Sequence, residues 1–271
     1  MTKIGLITGD GNLPIYIGNS LKNKNFDITY LLLSSVNDKS KYKNENHLNI
    51  DILSVKKIIN LLNKYNIKKI IFAGSLKRPS IRDLGFDLET IKLAKDLLLE
   101  KKGDDNLLLS IRTYLEKKGF SFFNWKKFCP DLFSIEDNLS KYKPSKLAIQ
   151  NLNKAKVIYK YFRNADIGQS LIIQNQLVLG LEAIEGTDNL IKRCFNYKRK
   201  GDKGILFKFS KKNQSSLIDI PLIGLNTIKN IKKYNYEGIY LEKNKCLIVD
   251  KDKIIEYANK NKIFISSTDL V

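Results

Sequence analysis

The chain has 271 residues, 43% of them hydrophobic, and a formal net charge of +20. That length gives room for one large domain or two modest ones, and no apolar run reaches the roughly 18 residues that span a bilayer. Three scattered cysteines without a C-x-x-C pair indicate neither a zinc site nor a disulfide framework, the single histidine excludes a His-rich metal site, and no Ser-His or Cys-His catalytic set is visible.

The elements alternate from the first residues. Lys3–Gly9 reads as a strand that runs into Gly9-Asp-Gly11-Asn12-Leu13-Pro14, and a helix over about Ile15–Lys22 follows. Ile28–Ser35 is almost continuously apolar, as a buried parallel strand is. Val55, Ile58, Ile59 and Leu62 recur at helical spacing within Ser54–Tyr65. Lys69–Gly74 is a third strand, Leu88–Lys102 and Asp105–Lys118 are two helices, and Phe120–Phe123 is a short fourth strand. Strand and helix in alternation predict a parallel sheet with crossover helices.

Pro130 to Pro144 has weak periodicity and many small polar residues, so residues 131–144 read as a linker. The expected organisation is a Rossmann-like N-terminal domain over 1–130 and a C-terminal α/β domain with a mixed sheet over 145–271. The second half opens with a long helix, Ser145–Phe162. Ser170–Ile173 and Leu177–Ala183 read as a hairpin around Gln174-Asn-Gln176. A helix over Asp188–Tyr197, a strand over Ile205–Phe209 and a helix over Leu225–Lys233 come next. Gly238–Leu241 and Cys246–Val249 read as a strand pair around Glu242-Lys-Asn-Lys245, and Lys251–Asn259 (helix) and Ile263–Ile265 (strand) close the chain.

The charge is mostly lysine spread along the chain, in a sequence also rich in asparagine and isoleucine. No nucleic-acid motif accompanies it, so no specific nucleic-acid partner is expected. The N-terminus shows no signal-peptide cleavage pattern, and a cytoplasmic location is expected.

Acids are grouped where chemistry with phosphate would need them. Glu182, Glu185 and Asp188 lie within Glu182-Ala-Ile-Glu-Gly186-Thr187-Asp188, and Asp219 follows in Ile-Asp-Ile-Pro-Leu-Ile-Gly224. Oxygen ligands suit Mg²⁺, which neutralises charge on a phosphoryl oxygen; helix capping and a solvated face explain the same residues. The glycines of the first loop let backbone N–H groups approach a phosphate, and a plain tight turn accounts for them as well. Phe72-Ala-Gly74-Ser-Leu-Lys-Arg78-Pro79 leaves the third strand at the sheet end where α/β ligands collect. Arg78 there is either a phosphate clamp or a surface arginine. Asp104 and Asp105 are helix-cap candidates, Gln169 follows a C-cap glycine, and Lys208 precedes Asp219 as a charge-offsetting candidate.

These segments occur in a specific order: Gly9-x-Gly11-x-Leu13-Pro14, Phe72-Ala-Gly74-x-x-x-Arg78-Pro79, Lys102-Gly-Asp-Asp105, Asp166-Ile-Gly-Gln169, Glu182-Ala-x-Glu-Gly-Thr-Asp188 and Asp219-x-Pro221-x-x-Gly224-x-x-Thr227. With all six, the chain resembles the LpxI-type UDP-2,3-diacylglucosamine pyrophosphatases over nearly its whole length. The resemblance implies two α/β domains with substrate between them. The implied reaction is hydrolysis of UDP-2,3-diacylglucosamine to 2,3-diacylglucosamine 1-phosphate (lipid X) and UMP, in the lipid A synthesis of Gram-negative bacteria. Water would attack the β-phosphorus, with Mg²⁺ or another divalent metal.

By resemblance, Asp219, Asp188 and Glu185 are catalytic candidates, and Asp219, Asp188 and Glu182 are metal candidates. Gly9, Gly11, Asn12, Leu13, Gly74, Arg78, Asp104, Gln169, Gly186, Thr187 and Lys208 are substrate-contact candidates. The chain departs from the family pattern at Leu217, where arginine is usual, at Lys212 in Lys211-Lys212, where Lys-Pro is common, and at Ser215, where an acid is common. A two-tailed lipid substrate implies transient contact with the inner-membrane surface from the cytoplasmic side, and the family brings the expectation of a homodimer. A non-catalytic binder of nucleotide sugars or other phosphorylated metabolites on the same scaffold is the alternative.

Overall fold

A computed structural model describes residues 1–33, 36, 38–50, 55–74, 105–164, 167–211 and 220–270, with the backbone alone for 105–110. The predicted helix over 88–102, and the candidates Arg78, Asp104 and Asp219, lie outside the described residues, as do Lys212, Ser215 and Leu217. The described residues form two compact units that meet in sequence at Pro130 and Asp131.

The first unit is a parallel five-stranded sheet in the order β3-β2-β1-β4-β5. Its strands are β1 (Lys3–Thr8), β2 (Asp27–Leu33), β3 (His47–Ile50), β4 (Lys69–Ala73) and β5 (Ser121–Phe122). Helices α1 (Leu13–Lys22), α2 (Val55–Lys64) and α3 (Asp105–Lys117) connect them. Ile4, Leu6, Ile17, Leu21, Leu31, Leu62 and Ile70 are fully buried between sheet and helices. Strand β3 was not read from the sequence: His47-Leu-Asn-Ile50 carries only two apolar residues in four. It forms because its backbone completes the ladder of β2, with Leu31 opposite Leu48 and Leu33 opposite Ile50.

Strand order reverses between β1 and β4, and the two glycine loops leave from that point. Gly9 N donates to Ala73 O at 2.8 Å. Gly74 has φ +93°, and a Cβ there would lie 2.7 Å from the backbone of Gly9 and 2.8 Å from Asp10 O. Only glycine lets the two loops back onto each other this closely. Gly9, Gly11, Asn12 and Leu13 are therefore in one place with Gly74, at the carboxyl ends of the strands.

The second unit is built on a mixed sheet in the order β12-β10-β8-β6-β7. Its strands are β6 (Ser170–Gln174), β7 (Leu177–Leu181), β8 (Ile205–Lys208), β10 (Gly238–Glu242) and β12 (Phe264–Thr268). Strands β8, β10 and β12 are parallel, and β6 runs antiparallel to both β8 and β7. Alternate residues face opposite layers, as the pleat requires. Leu171, Ile173, Ile205, Phe207, Tyr240 and Phe264 pack on α4 (Lys146–Phe162) through Ala148, Leu152, Ala155 and Tyr159. Ile172, Leu206, Ile239 and Ile265 face α5 (Thr187–Phe195), α6 (Leu225–Lys233) and α7 (Lys251–Lys260).

One expected pairing is corrected. Gly238–Leu241 and Cys246–Val249 do not form a hairpin. Strand β10 is central, between β8 and β12, and β11 (Leu247–Ile248) pairs in parallel with β9 (Leu222–Ile223) in a separate small ladder. A buried central strand is satisfied on both edges and leaves no ladder for its sequence neighbour.

Residues 131–144, read as a linker, run along the second unit. Ser134 N donates to Cys246 O at 3.1 Å, Leu139 N to Ile265 O at 2.9 Å, and Ser267 N to Asp137 O at 3.0 Å. Ile265 N in turn donates to Ser140 Oγ at 2.8 Å.

Candidate active site

Around Lys208 the second unit gathers most of its candidate residues. Lys208 is the last residue of β8, directly opposite Ser170 on β6. Glu182 follows β7, and its backbone prolongs the hairpin, with Glu182 N donating to Ser170 O at 2.8 Å and Gly168 N to Glu182 O at 2.8 Å. Thr187 opens α5 just after Gly186, whose φ is +77°.

The Lys208 side chain is only 5% exposed. Its ammonium donates to Thr187 Oγ1 at 2.6 Å and to Ser170 Oγ at 3.2 Å. Glu182 Oε2 is 3.9 Å away, too far for a charge-assisted hydrogen bond of about 2.7–2.9 Å. The carboxylate therefore compensates Lys208 by charge, and the hydroxyls take its hydrogen bonds. Thr187 Oγ1 is 3.2 Å from both Glu182 oxygens and donates to that carboxylate. Gln169 N also donates to Glu182 Oε2, at 3.3 Å. A buried ammonium is costly unless it is paired and hydrogen-bonded, and here both conditions are met by neighbours from three elements.

Asp188, the next residue of α5, accepts a hydrogen bond from Thr227 Oγ1 on α6 at 3.0 Å. A carboxylate in the first turn also complements the helix dipole. Glu185 points elsewhere. Its Oε1 receives Arg193 Nη2 at 2.6 Å and its Oε2 receives Ala183 N at 3.1 Å. The Arg193 guanidinium hydrogen-bonded to Glu185 holds its carboxyl below the usual carboxylate range. These are the bonds of a residue that closes the turn before α5.

Two participants went unassigned in the sequence. Thr227 stood inside a motif without a role, and Ser170 was hidden because its contact depends on the β6–β8 register. A third polar group lies on the opposite sheet face. Glu242, 4% exposed, accepts from Ser210 N and Ser210 Oγ, both at 2.6 Å, and from Lys245 at 3.0 Å. It ties down Ser210, two residues beyond Lys208. The cysteines offer no nucleophile: Cys246 and Cys194 are buried, and burial pushes their thiols up to about 12 and about 11.

Among the described residues, no group of three or more histidines, cysteines, aspartates or glutamates is arranged to hold a metal. Glu182 is already engaged by Thr187, Gln169 and Lys208. Asp188, which accepts from Thr227, is likewise an oxygen donor of the type a hard cation takes. Mg²⁺ is commonly held by one or two carboxylates together with substrate phosphates, and such a site needs no all-protein cage.

Two family models match the chain: the LpxI N-terminal domain over residues 3–132 and the LpxI C-terminal domain over residues 136–266. A protein from Caulobacter vibrioides named UDP-2,3-diacylglucosamine pyrophosphatase LpxI is 28% identical over 278 residues, covering 99% of this chain and 98% of its own length. Solved structures show weak likeness. The biotin carboxylase domain of Hydrogenobacter thermophilus 2-oxoglutarate carboxylase matches with 15% identity and a TM-score of 0.29, over 72% of this chain and 41% of that one. A short chain dehydrogenase family protein from Francisella tularensis matches with 16% identity and a TM-score of 0.24, over 60% and 66%.

Proposed function

The chain belongs to the LpxI family over both of its halves, and we propose that it hydrolyses the pyrophosphate of UDP-2,3-diacylglucosamine to lipid X and UMP in lipid A synthesis. The observation that carries the reading is the buried Lys208, held at the end of β8 by Thr187, Ser170 and Glu182. A fixed cation with its bonds already made needs no reorganisation when an anionic group arrives, and preorganised charge of this kind stabilises developing charge on phosphoryl oxygens.

In this reading the oxygen of water bonds to the β-phosphorus, and the bond from that phosphorus to the bridging oxygen breaks. UMP leaves with the bridging oxygen, and the proton of water passes to a carboxylate. Asp219 is the residue we assign to that proton, on the strength of its place in the Asp-x-Pro motif. Lys208 offsets phosphate charge, Thr187 and Glu182 hold it in place, and Gly9, Gly11, Asn12, Leu13 and Gly74 offer backbone to a phosphate or sugar. Arg78, Asp104, Gln169 and Gly186 are proposed substrate contacts from the motifs alone. Mg²⁺, when bound, would be held by Asp188 and Asp219 and would neutralise charge on the phosphates. Glu182 and Glu185 make the positioning bonds described above, and the motif also offers Glu182 to the metal and Glu185 to catalysis.

Turnover of UDP-2,3-diacylglucosamine, with and without Mg²⁺ in ¹⁸O-water, tests the proposal by mass spectrometry. Lipid X carrying the label, together with unlabelled UMP and metal dependence, is the expected result. Label in UMP would move the attack to the α-phosphorus. UDP-sugar binding without turnover would favour the non-catalytic alternative and make Leu217→Arg the first reversion to examine.

No helix among the described residues is long and apolar enough to cross a membrane. We propose that the protein meets its lipid substrate by transient association with the membrane surface. The homodimer expected from the family is tested by sedimentation velocity.

A further inference from the structure

The outer face of α4 brings exposed apolar side chains and lysines together. From Asn138 through Ala165, about a tenth of the chain, there are seven lysines or arginines and no aspartate or glutamate. No acid in this stretch offsets its positive charge, as is also true of Ile52–Arg82 with its eight basic residues, and what sets this stretch apart is the outward face of a helix. The helix is fixed from below: Ser145 caps it by accepting from Ala148 N at 3.1 Å, and its inner stripe packs on β8 and β6. The carboxylates bonded near it are Glu237, which accepts from Ser145 at the cap, and Asp202, which accepts from Asn151 on the inner side.

The outward stripe is apolar as well as basic. Leu147 is 49% exposed, Ile149 46%, Val157 50% and Tyr161 83%. Lys146, Lys154 and Lys160 are exposed beside them, and among the described residues none of the three has a carboxylate partner. At the helical period, Leu147, Lys154 and Tyr161 form one row and Lys146, Val157 and Lys160 its neighbours.

We propose that this face of α4 seats the protein on an anionic lipid bilayer. The inference rests on the peripheral association proposed above and names the surface that makes it. Lysines reach anionic headgroups while their stems and the apolar side chains lie in the interfacial layer, and the exposed Tyr161 suits the same depth. A second copy of this chain would bring an equally basic stripe against it and be repelled. A nucleic acid would satisfy the lysines but give Leu147, Ile149 and Val157 no hydrocarbon to enter.

The test is co-sedimentation of the full chain with phosphatidylglycerol–phosphatidylcholine vesicles and with phosphatidylcholine vesicles alone. Two variants remove the face, Lys146→Gln/Lys154→Gln/Lys160→Gln and Leu147→Gln/Val157→Gln/Tyr161→Gln. A control, Lys229→Gln/Lys232→Gln/Lys233→Gln, removes the same charge from α6. Glutamine keeps helix propensity, and circular dichroism checks each fold. Either face variant should lower partition to anionic vesicles by roughly tenfold or more, while the control changes it by less than about threefold. Turnover of detergent-dispersed substrate should be unchanged in all of them.

Equal losses in control and face variants would overturn the assignment to α4. So would equal binding to the uncharged vesicles, or conversion of a dimer to a monomer by the face variants. If the unaltered protein fails to bind vesicles, peripheral association falls with the face. Turnover of dispersed substrate would then still leave the hydrolase reading standing, and absence of turnover alone would remove that reading while vesicle binding kept this one.

Discussion

Thr187 Oγ1 lies 2.6 Å from Lys208 Nζ and 3.2 Å from each carboxylate oxygen of Glu182. One hydroxyl thus joins the first turn of α5 to the end of β8, accepting from the ammonium and donating to the carboxylate. Replacing Thr187 by valine keeps the shape and removes both bonds. The buried ammonium then loses its shortest partner, at a cost of about 1–3 kcal/mol in stability. Hydrolysis is expected to fall by roughly tenfold or more, and Thr187→Ser should restore most of it. Urea unfolding and kcat/KM, measured on both variants, check this.

Lys208 and Glu182 should behave as one unit. Lys208→Met is expected to reduce kcat by roughly 10²-fold or more while the chain stays folded. Glu182→Gln should lose less, because Thr187 and Ser170 still hold the lysine. The double variant should be no worse than Lys208→Met alone, since a residue that acts through another adds nothing once the other is gone. Full additivity in the double-mutant cycle would give Glu182 a role of its own, such as the metal ligation expected from the motif.

Gly168 packs against the backbone and side-chain stem of Glu182. A Cβ at this position would lie 2.4 Å from Glu182 O and 2.5 Å from its Cβ and Cγ. Gly168→Ala must therefore displace Glu182, at a cost of about 1–3 kcal/mol. Thermal unfolding should show the loss, and turnover should fall with it.

The Glu185–Arg193 pair predicts a pH effect of definite sign. Hydrogen bonding to Arg193 lowers the Glu185 carboxyl below its ordinary value of 4.5. A carboxyl depressed in the folded state contributes stability above its unfolded value and loses it as pH falls through the folded one. Arg193→Gln should therefore be destabilising at neutral pH and less so in acid, with the two stability curves converging below about pH 4. Arg193 is partly exposed, so the effect should shrink in high salt.

Asp219→Ala is expected to abolish hydrolysis and leave the fold intact, and Asp188→Asn to raise the Mg²⁺ concentration needed for half-maximal rate. Metal titration of turnover separates them. Near-normal rates in Asp219→Ala would remove that residue from the mechanism.

The sequence pattern disclosed the layers better than the pairings. Val55, Ile58 and Leu62 announce α2, and the apolar run of β2 announces a strand buried on both faces. The hairpin of β6 and β7 was legible from its turn. What lay hidden was non-local. Leu247–Ile248 pairs with Leu222–Ile223 through two residues a side, too few for any period to register. Lys208 was marked in the sequence as a charge-offsetting and substrate-contact candidate, but nothing there showed it buried. That it is buried follows from β6 pairing with β8, which sets Ser170 opposite it, and from the start of α5, which sets Thr187 above it. The acids Glu182, Glu185 and Asp188 stand within seven residues, yet α5 and its preceding turn send them to three different sets of partners. Likewise, the absence of acids from 138–165 was there to be counted, but only the packing of α4 shows which side chains face outward.

The bonds between 136–140 and β12 have a consequence for how the chain is made. Ser140 and Ile265 are 125 residues apart in sequence, and Asn138 and Ser266, which also bond, are 128 apart. The early segment must leave the ribosome and wait for these bonds until β12 has been synthesised. Contacts of such long separation form late, so the second unit stays open along one sheet edge through most of its translation. A ribosome stalled shortly before β12 would release a chain with exposed edges at both β10 and the waiting segment, the kind of surface that chaperones hold and that neighbouring nascent chains join.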